Sequence, residues 1–207
     1  MSGAQALDAL ARRLLPRGYG CAVLPLAAEP APLLPGEAEA IARAVPKRRR
    51  EFALGRMALR AAIRQAGHDL PADRPIPARP DRQPDLPPGI SASLSHGGDY
   101  CIAIAAPPGG ASVGVDLEPC DRTLPEGLAE TIMPFRLNDA GDALLAFCAK
   151  EAMFKAQYPL TARMLDFREV PVVIGPARFR ACMGDRLIRG RWGRAEGYWL
   201  AVSLWRG

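Results

Sequence analysis

The chain has 207 residues, of which 49% are hydrophobic and 24% charged, the proportions of an ordinary globular protein. It carries 27 Lys+Arg against 22 Asp+Glu, a formal net charge of +5, which favours anionic partners. This excludes a disordered tail, a collagen or a disulfide scaffold, and no apolar run is long enough for a helix to span a bilayer.

Residues 1–35 contain Pro16, Pro25, Pro30, Pro32 and Pro35, and read as irregular chain with one strand over 20–26. Arg12-Arg13 is not followed by an apolar stretch, so no export signal is expected. A short helix is predicted over 37–44. The first strong helix is predicted over 48–66, stopped by Gly67. Phe52, Leu59 and Ile63 share one of its faces, and Arg49, Arg56, Arg60 and Arg64 another. That basic face is either solvated surface or a phosphate-contacting one. Residues 70–90 are rich in proline, lack periodicity and read as a long irregular loop. Strands are predicted over 91–94, 100–106 and 112–118, with a turn at Pro107–Gly110. The second strong helix covers 142–158 and stops at Pro159. From 169 to 205 the pattern is strands. Gly184-Asp185 marks a hairpin turn, and Tyr198, Leu200, Val202 and Leu204 alternate against the other face of the last strand. Helices and strands mix without regular β-α-β alternation, which predicts an α+β protein. The five cysteines are scattered, with no C-x-x-C pair. Reduced thiols in a cytoplasmic protein are the expectation.

Three places carry chemistry. On the strand over 112–118, Val113, Val115 and Leu117 point one way and Asp116 and Glu118 the other. Two adjacent carboxylates repel unless a cation or proton separates them, and hard oxygen ligands suit Mg²⁺. The plainer alternative is an exposed acidic pair. In the second helix Leu144, Phe147, Glu151, Phe154 and Tyr158 form one stripe, which sets Glu151 in an apolar face. A carboxylate there is costly unless paired or metal-bound. Lys155 lies one turn on and Lys150 beside it, so an ordinary Glu–Lys surface pair is the alternative. His96 precedes Gly97-Gly98, where backbone can approach a ligand. Carboxylates for a cation, basic residues for phosphates and a histidine on a glycine-flanked turn suit phosphoryl-type transfer. Neither a P-loop nor a dinucleotide-binding glycine fingerprint is present.

Taken in order, Ser93–His96, Gly114-Val115-Asp116-Leu117-Glu118 and Phe147-x-x-Lys150-Glu151-x-x-x-Lys155 resemble the Sfp-type 4′-phosphopantetheinyl transferases. The siderophore-synthetase-associated branch fits best. Further marks are Leu34–Glu37, Arg48–Phe52 with Gly55-Arg56, Arg82-Gln83-Pro84, Tyr158–Thr161 and Arg189–Trp192. The resemblance implies two pseudo-symmetric halves, 1–109 and 110–207, with coenzyme A in the cleft between them and a monomeric enzyme. It implies that Asp116, Glu118 and Glu151 hold Mg²⁺, or alternatively Mn²⁺, with Asp116, Glu151 and Lys155 catalytic. Glu151 would activate a serine of an acidic apo carrier protein, and Lys155 would stabilise the leaving 3′,5′-ADP. Arg48, Arg56, Arg82, Ser95, His96, Lys150 and Lys155 would contact coenzyme A. Gly97, Phe147 and Asp81 depart from the family's usual residues, and the segment over 130–142, which helps dock the carrier, is shorter than expected.

Two other readings compete. A Mg²⁺-dependent hydrolase of coenzyme A or another nucleotide diphosphate would use the same groups with water as acceptor. A basic nucleic-acid-binding protein would use the arginine helix. With aromatics only 6% of residues and none interleaved with that helix's basic stretch, no stacking platform supports it. Neither a nucleic acid nor a membrane is an expected partner.

Overall fold

The computed structural model describes residues 1–123, 127–137 and 142–207. Its first element corrects the expectation of irregular chain: α1 spans Gly3–Leu14. Ser2 Oγ accepts from Gln5 N at 3.3 Å, while the Gln5 side chain accepts from Ser2 N at 2.8 Å, a capping box. Leu7, Leu10, Ala11 and Leu14 form its buried stripe. The prolines that suggested irregular chain begin only at Pro16, beyond the helix.

Strand β1 (Gly20–Pro25), helix α2 (Pro35–Ala40) and helix α3 (Pro46–Gln65) follow, then β2 (Ala92–Gly97) and β3 (Tyr100–Ala105). Helix α2 stops at Ala40 rather than 44. The loop over 70–90 is irregular as expected, apart from an isolated bridge between Ala78 and Pro84. Strands β1, β3 and β2 form an antiparallel sheet in that order, covered by α3. The basic face of α3 is not a uniform surface. Arg60 donates to Glu37 Oε1 at 2.5 Å and to Arg74 O at 2.9 Å, and Glu37 also accepts from Ile76 N at 2.8 Å. Glu37 is 1% exposed, so this pair pins the long loop onto α3.

The second half begins with β4 (Ser112–Pro119), α4 (Leu128–Thr131), β5 (Phe135–Leu137) and α5 (Ala143–Thr161). It ends with β6 (Val172–Gly175), β7 (Arg178–Met183), β8 (Arg186–Ala195) and β9 (Tyr198–Trp205). The sheet order is β4-β9-β8-β7-β6-β5, antiparallel except for β5–β6. Helix α5 passes Pro159, which lies two residues from its end, where only one bond, to the Lys155 carbonyl, is lost. Strand β9 is buried on both faces rather than alternating, because α5 covers one side and α1 with β3 the other. The architecture is α+β, with one helix-covered sheet in each half.

Two glycines show why the halves resemble each other. A Cβ on Gly20 of β1 would collide with the Ala62 carbonyl of α3, and one on Gly114 of β4 with the Ala152 carbonyl of α5. Each strand crosses its helix at van der Waals contact, which only glycine permits.

The sheets meet where β2 lies beside β4. Ser91 Oγ accepts from Val113 N and Ser93 Oγ from Val115 N, both at 3.1 Å. Alternate residues of a strand share a side, so Ser91, Ser93 and Ser95 line one edge of β2. Gly97 continues that row, and its Cβ would run into the Leu117 carbonyl. The close approach there leaves no room for a side chain at position 97.

Candidate active site in the cleft

The junction of β2 and β4 fixes the central cluster. Ser95 Oγ donates to Asp116 Oδ1 at 2.7 Å. Lys155, from α5, donates to the same oxygen at 2.7 Å, to Val115 O at 3.2 Å and to Ser95 Oγ at 3.3 Å. Asp116 is 3% exposed, yet its other oxygen, Oδ2, has no hydrogen-bond partner among the described residues. A buried acceptor left unpaired costs about 1–3 kcal/mol, more when charged.

Around this cluster lies a cavity of about 330 Å³ lined by Asp116, Glu118, Glu151, Lys155, His96 and Phe147. Asp116 and Glu118 point to the side opposite Val115 and Leu117, as expected, but are buried rather than exposed. Burial pushes the Glu118 carboxyl up from its usual value, Arg122 opposes this by pairing with it, and the Asp116 charge adds to it. Burial also raises Glu151, with Lys155 opposing. Burial works against the charge on Lys155, but Asp116 and Glu151 outweigh it and raise its pKa.

His96, Glu151 and Lys155 also wall a larger cavity of about 780 Å³ between the halves. Its first-half wall includes Arg48, Glu51, Arg56 and Arg82. Arg48 Nη1 lies 2.9 Å from His96 Nε2. A guanidinium can only donate, so that ring nitrogen accepts and the imidazole is neutral. Burial lowers the His96 pKa, with Glu51 opposing. Arg56 is buried, lies 3.9 Å over the Phe52 ring and donates Nε to Ile76 O at 2.5 Å. Burial drops its pKa to about 10, so it remains a cation at neutral pH. Arg82 has φ +70 in the loop rim.

The structure thus brings together Arg48, Arg56, Arg82, Ser95, His96, Asp116, Glu118, Glu151 and Lys155. It does not bring Lys150 to them. Lys150 is fully buried and donates to Phe167 O at 2.5 Å, 6.0 Å from the Phe167 ring centroid. Burial lowers its pKa to about 8. Adjacent residues lie about 100° apart around a helix, so Glu151 in the cleft places Lys150 on another face. A second correction concerns the apolar stripe. Phe147, Glu151, Phe154 and Tyr158 are only partly buried and face the cavities. The core face of α5 is Leu145, Cys148, Ala149, Ala152, Met153 and Ala156. Helical spacing found a real stripe, but the cleft also has an apolar wall.

Two further residues belong to the site. Glu51 stands 3.5 Å from Arg48 and 3.8 Å from His96; in the sequence it appears only within the Arg48–Phe52 run. Arg122 pairs with Glu118 four residues earlier, beyond the strand end.

The donor set fits a hard divalent cation. Among the described residues no three His, Cys, Asp or Glu side chains close around a point. The unpaired Asp116 oxygen with Glu118 or Glu151 would be completed by phosphate oxygens, since Mg²⁺ is usually held by one or two carboxylates and its substrate's phosphates. Residues 138–141 of the shortened segment lie outside the described residues.

Comparisons with known proteins agree. The model of the 4′-phosphopantetheinyl transferase N-terminal domain matches residues 36–106, and that of the 4′-phosphopantetheinyl transferase superfamily matches 112–202. The chain is 39% identical over 191 residues to the 4′-phosphopantetheinyl transferase Svp of Streptomyces mobaraensis, covering 80% of this chain and 75% of that protein. It is 38% identical over 168 residues to the transferase Npt of Nocardia iowensis, covering 72% and 74%. Against PptT of Mycobacterium tuberculosis it is 39% identical over 149 residues, covering 67% and 64%.

Proposed function

The chain belongs to the 4′-phosphopantetheinyl transferase superfamily and is an enzyme that transfers phosphopantetheine to carrier proteins; we propose that it draws the group from coenzyme A with Mg²⁺, or alternatively Mn²⁺, and releases 3′,5′-ADP. The observation that carries this reading is the pairing of a cavity for a nucleotide diphosphate with three carboxylates and Lys155 at its inner end.

Arg48, Arg56, Arg82 and His96 hold the phosphates and nucleotide along the first-half wall. Ser95 orients Asp116, whose free oxygen, with Glu118 and Glu151, would hold the cation. When bound, Mg²⁺ neutralises charge on the diphosphate oxygens. Glu151 takes the proton of the carrier's serine. The serine oxygen bonds to the phosphorus of the pantetheine phosphate while the bond to 3′,5′-ADP breaks. Lys155 neutralises the leaving oxygen.

The division into 1–109 and 110–207 is part of the proposal and rests on one sheet falling in each half. Both cleft walls come from one chain, which suits a monomer. An acidic carrier suits the net charge of +5. Cytoplasmic residence rests on five free cysteines. Among the described residues no helix is long and apolar enough to cross a membrane.

The test is intact-mass spectrometry of several apo carrier proteins after incubation with coenzyme A and Mg²⁺. A phosphopantetheine adduct that disappears with EDTA is expected. Free phosphopantetheine without an adduct would support the hydrolase instead.

A further inference from the structure

The sheet of the second half has a face that the reaction does not use. Asp116, Glu118 and α5 lie on one side of it, and α1 covers only part of the other. Beyond α1 that other side is an open groove of about 500 Å³. Its floor is aliphatic, with Leu14, Val173, Val202 and Leu204, and four exposed arginines rise from it: Arg178, Arg180, Arg189 and Arg191.

The register makes this arrangement costly. Arg178 lies directly opposite Arg191, and Arg180 directly opposite Arg189. Like charges facing each other across a ladder destabilise a sheet. Among the described residues none of the four has a carboxylate within ion-pair distance. A protein that gained nothing from these arginines would be more stable without them.

We propose that this groove is a docking surface for an acidic polypeptide segment of a partner protein, separate from the catalytic cleft. A guanidinium pairs two-pronged with a carboxylate, so four of them fit a segment bearing several Asp or Glu residues. The concave aliphatic floor takes that segment's apolar side chains, the usual combination in amphipathic peptide recognition. Charge complementarity and this floor select the occupant. Single-stranded nucleic acid stacks its bases on exposed aromatics, whereas the one aromatic at the groove, Phe179, is 3% exposed. A membrane-binding face presents protruding apolar residues to a plane, whereas these lie at the bottom of a hollow. Catalysis on the opposite face leaves the cleft free while this surface is occupied.

The test uses the full chain and a fluorescein-labelled synthetic peptide alternating glutamate and leucine, read by fluorescence anisotropy. Controls are a lysine–leucine peptide, a single-stranded oligonucleotide and phosphatidylserine vesicles. Wild type should bind the acidic peptide and not the basic one. The double variant Arg180→Glu/Arg191→Glu should bind it at least about tenfold more weakly. Each substitution also turns a repelling cross-strand pair into an attracting one, so the melting temperature of the double variant should rise. Turnover on a free carrier protein should be unchanged. The proposal is overturned if wild type fails to bind the acidic peptide or the variant binds it equally well. It is also overturned if the variant melts lower than wild type, which would make the arginines structural. Patch-dependent binding of the oligonucleotide or vesicles in preference to the peptide would assign the face to that partner instead.

Discussion

The serine row of β2 offers the sharpest test, because neighbouring hydroxyls with similar structural worth have different roles. Ser93→Ala removes the acceptor of Val115 N at 3.1 Å and leaves that amide buried without a partner. Ser95→Ala removes a 2.7 Å bond to a buried carboxylate. Leaving a buried amide unpaired costs about 1–3 kcal/mol, and a bond to a charged group is worth about 1.5–3 kcal/mol. Both variants should therefore lose about 2 kcal/mol. For a chain of this length that lowers the melting temperature by about 4–8 °C. Turnover should separate them. The Ser93 hydroxyl's hydrogen bond is to backbone alone, so Ser93→Ala should keep near wild-type transfer below its melting point. Ser95 also orients Asp116 and Lys155, so Ser95→Ala should lose at least about tenfold in kcat, because small misplacements of reacting groups are expensive. Calorimetric melting and carrier modification followed by intact mass give both readouts. If Ser95→Ala melted and turned over like wild type, the hydroxyl would not hold Asp116 as described. Equal turnover losses in the two variants would show that the row is purely structural.

Asp116→Asn and Glu151→Gln should abolish transfer while remaining folded by circular dichroism, and Asp116→Asn should also lose Mg²⁺-dependent coenzyme A binding in calorimetry. Gly114→Ala should force α5 off β4 and cost about 1–3 kcal/mol as overpacking; unchanged melting would contradict the close crossing. Lys150→Met should leave coenzyme A affinity within about twofold, as expected for a group outside the site, and a larger loss would return Lys150 to the cleft. In the native protein Ellman's reagent followed by peptide mapping should find exposed Cys182 first and partly buried Cys120 more slowly. Cys21 and Cys101 are raised by burial to about 12 and about 11, and reactivity follows the thiolate, so both should resist until unfolding.

What could be read from the sequence followed the range of the forces involved. Local periodicity found α3, α5 and the strands of both sheets except the three-residue β5, because side-chain faces are set within a few residues. It missed α1, although Ser2-x-x-Gln5 and the spacing of Leu7, Leu10, Ala11 and Leu14 were present, because the prolines after Pro16 dominated the reading. It misjudged β9, because which faces a strand buries depends on elements far away in the chain. The carboxylates and Lys155 were recognisable by type and spacing. The Ser95–Asp116 bond and the placing of Glu51 beside His96 were not, since each joins residues through tertiary contact.

The glycine crossings also explain why two similar halves yield one candidate site. Superimposing Gly20 on Gly114 and Ala62 on Ala152 makes Ala22 the counterpart of Asp116 and Leu24 that of Glu118. Ala61 then matches Glu151, and Gln65 matches Lys155. Gln65 Oε1 accepts from Cys21 N at 3.2 Å, while Lys155 donates to Val115 O at 3.2 Å, the equivalent strand position. The first half thus keeps the helix-to-strand tie but has neutral groups where the second half has charges. A second set of buried carboxylates would carry a desolvation cost without a diphosphate to share it. The first half instead contributes Ser95, His96 and the arginines of α3 across the junction. Each half supplies what the other lacks, so the proposed site lies in the cleft where β2 and β4 meet.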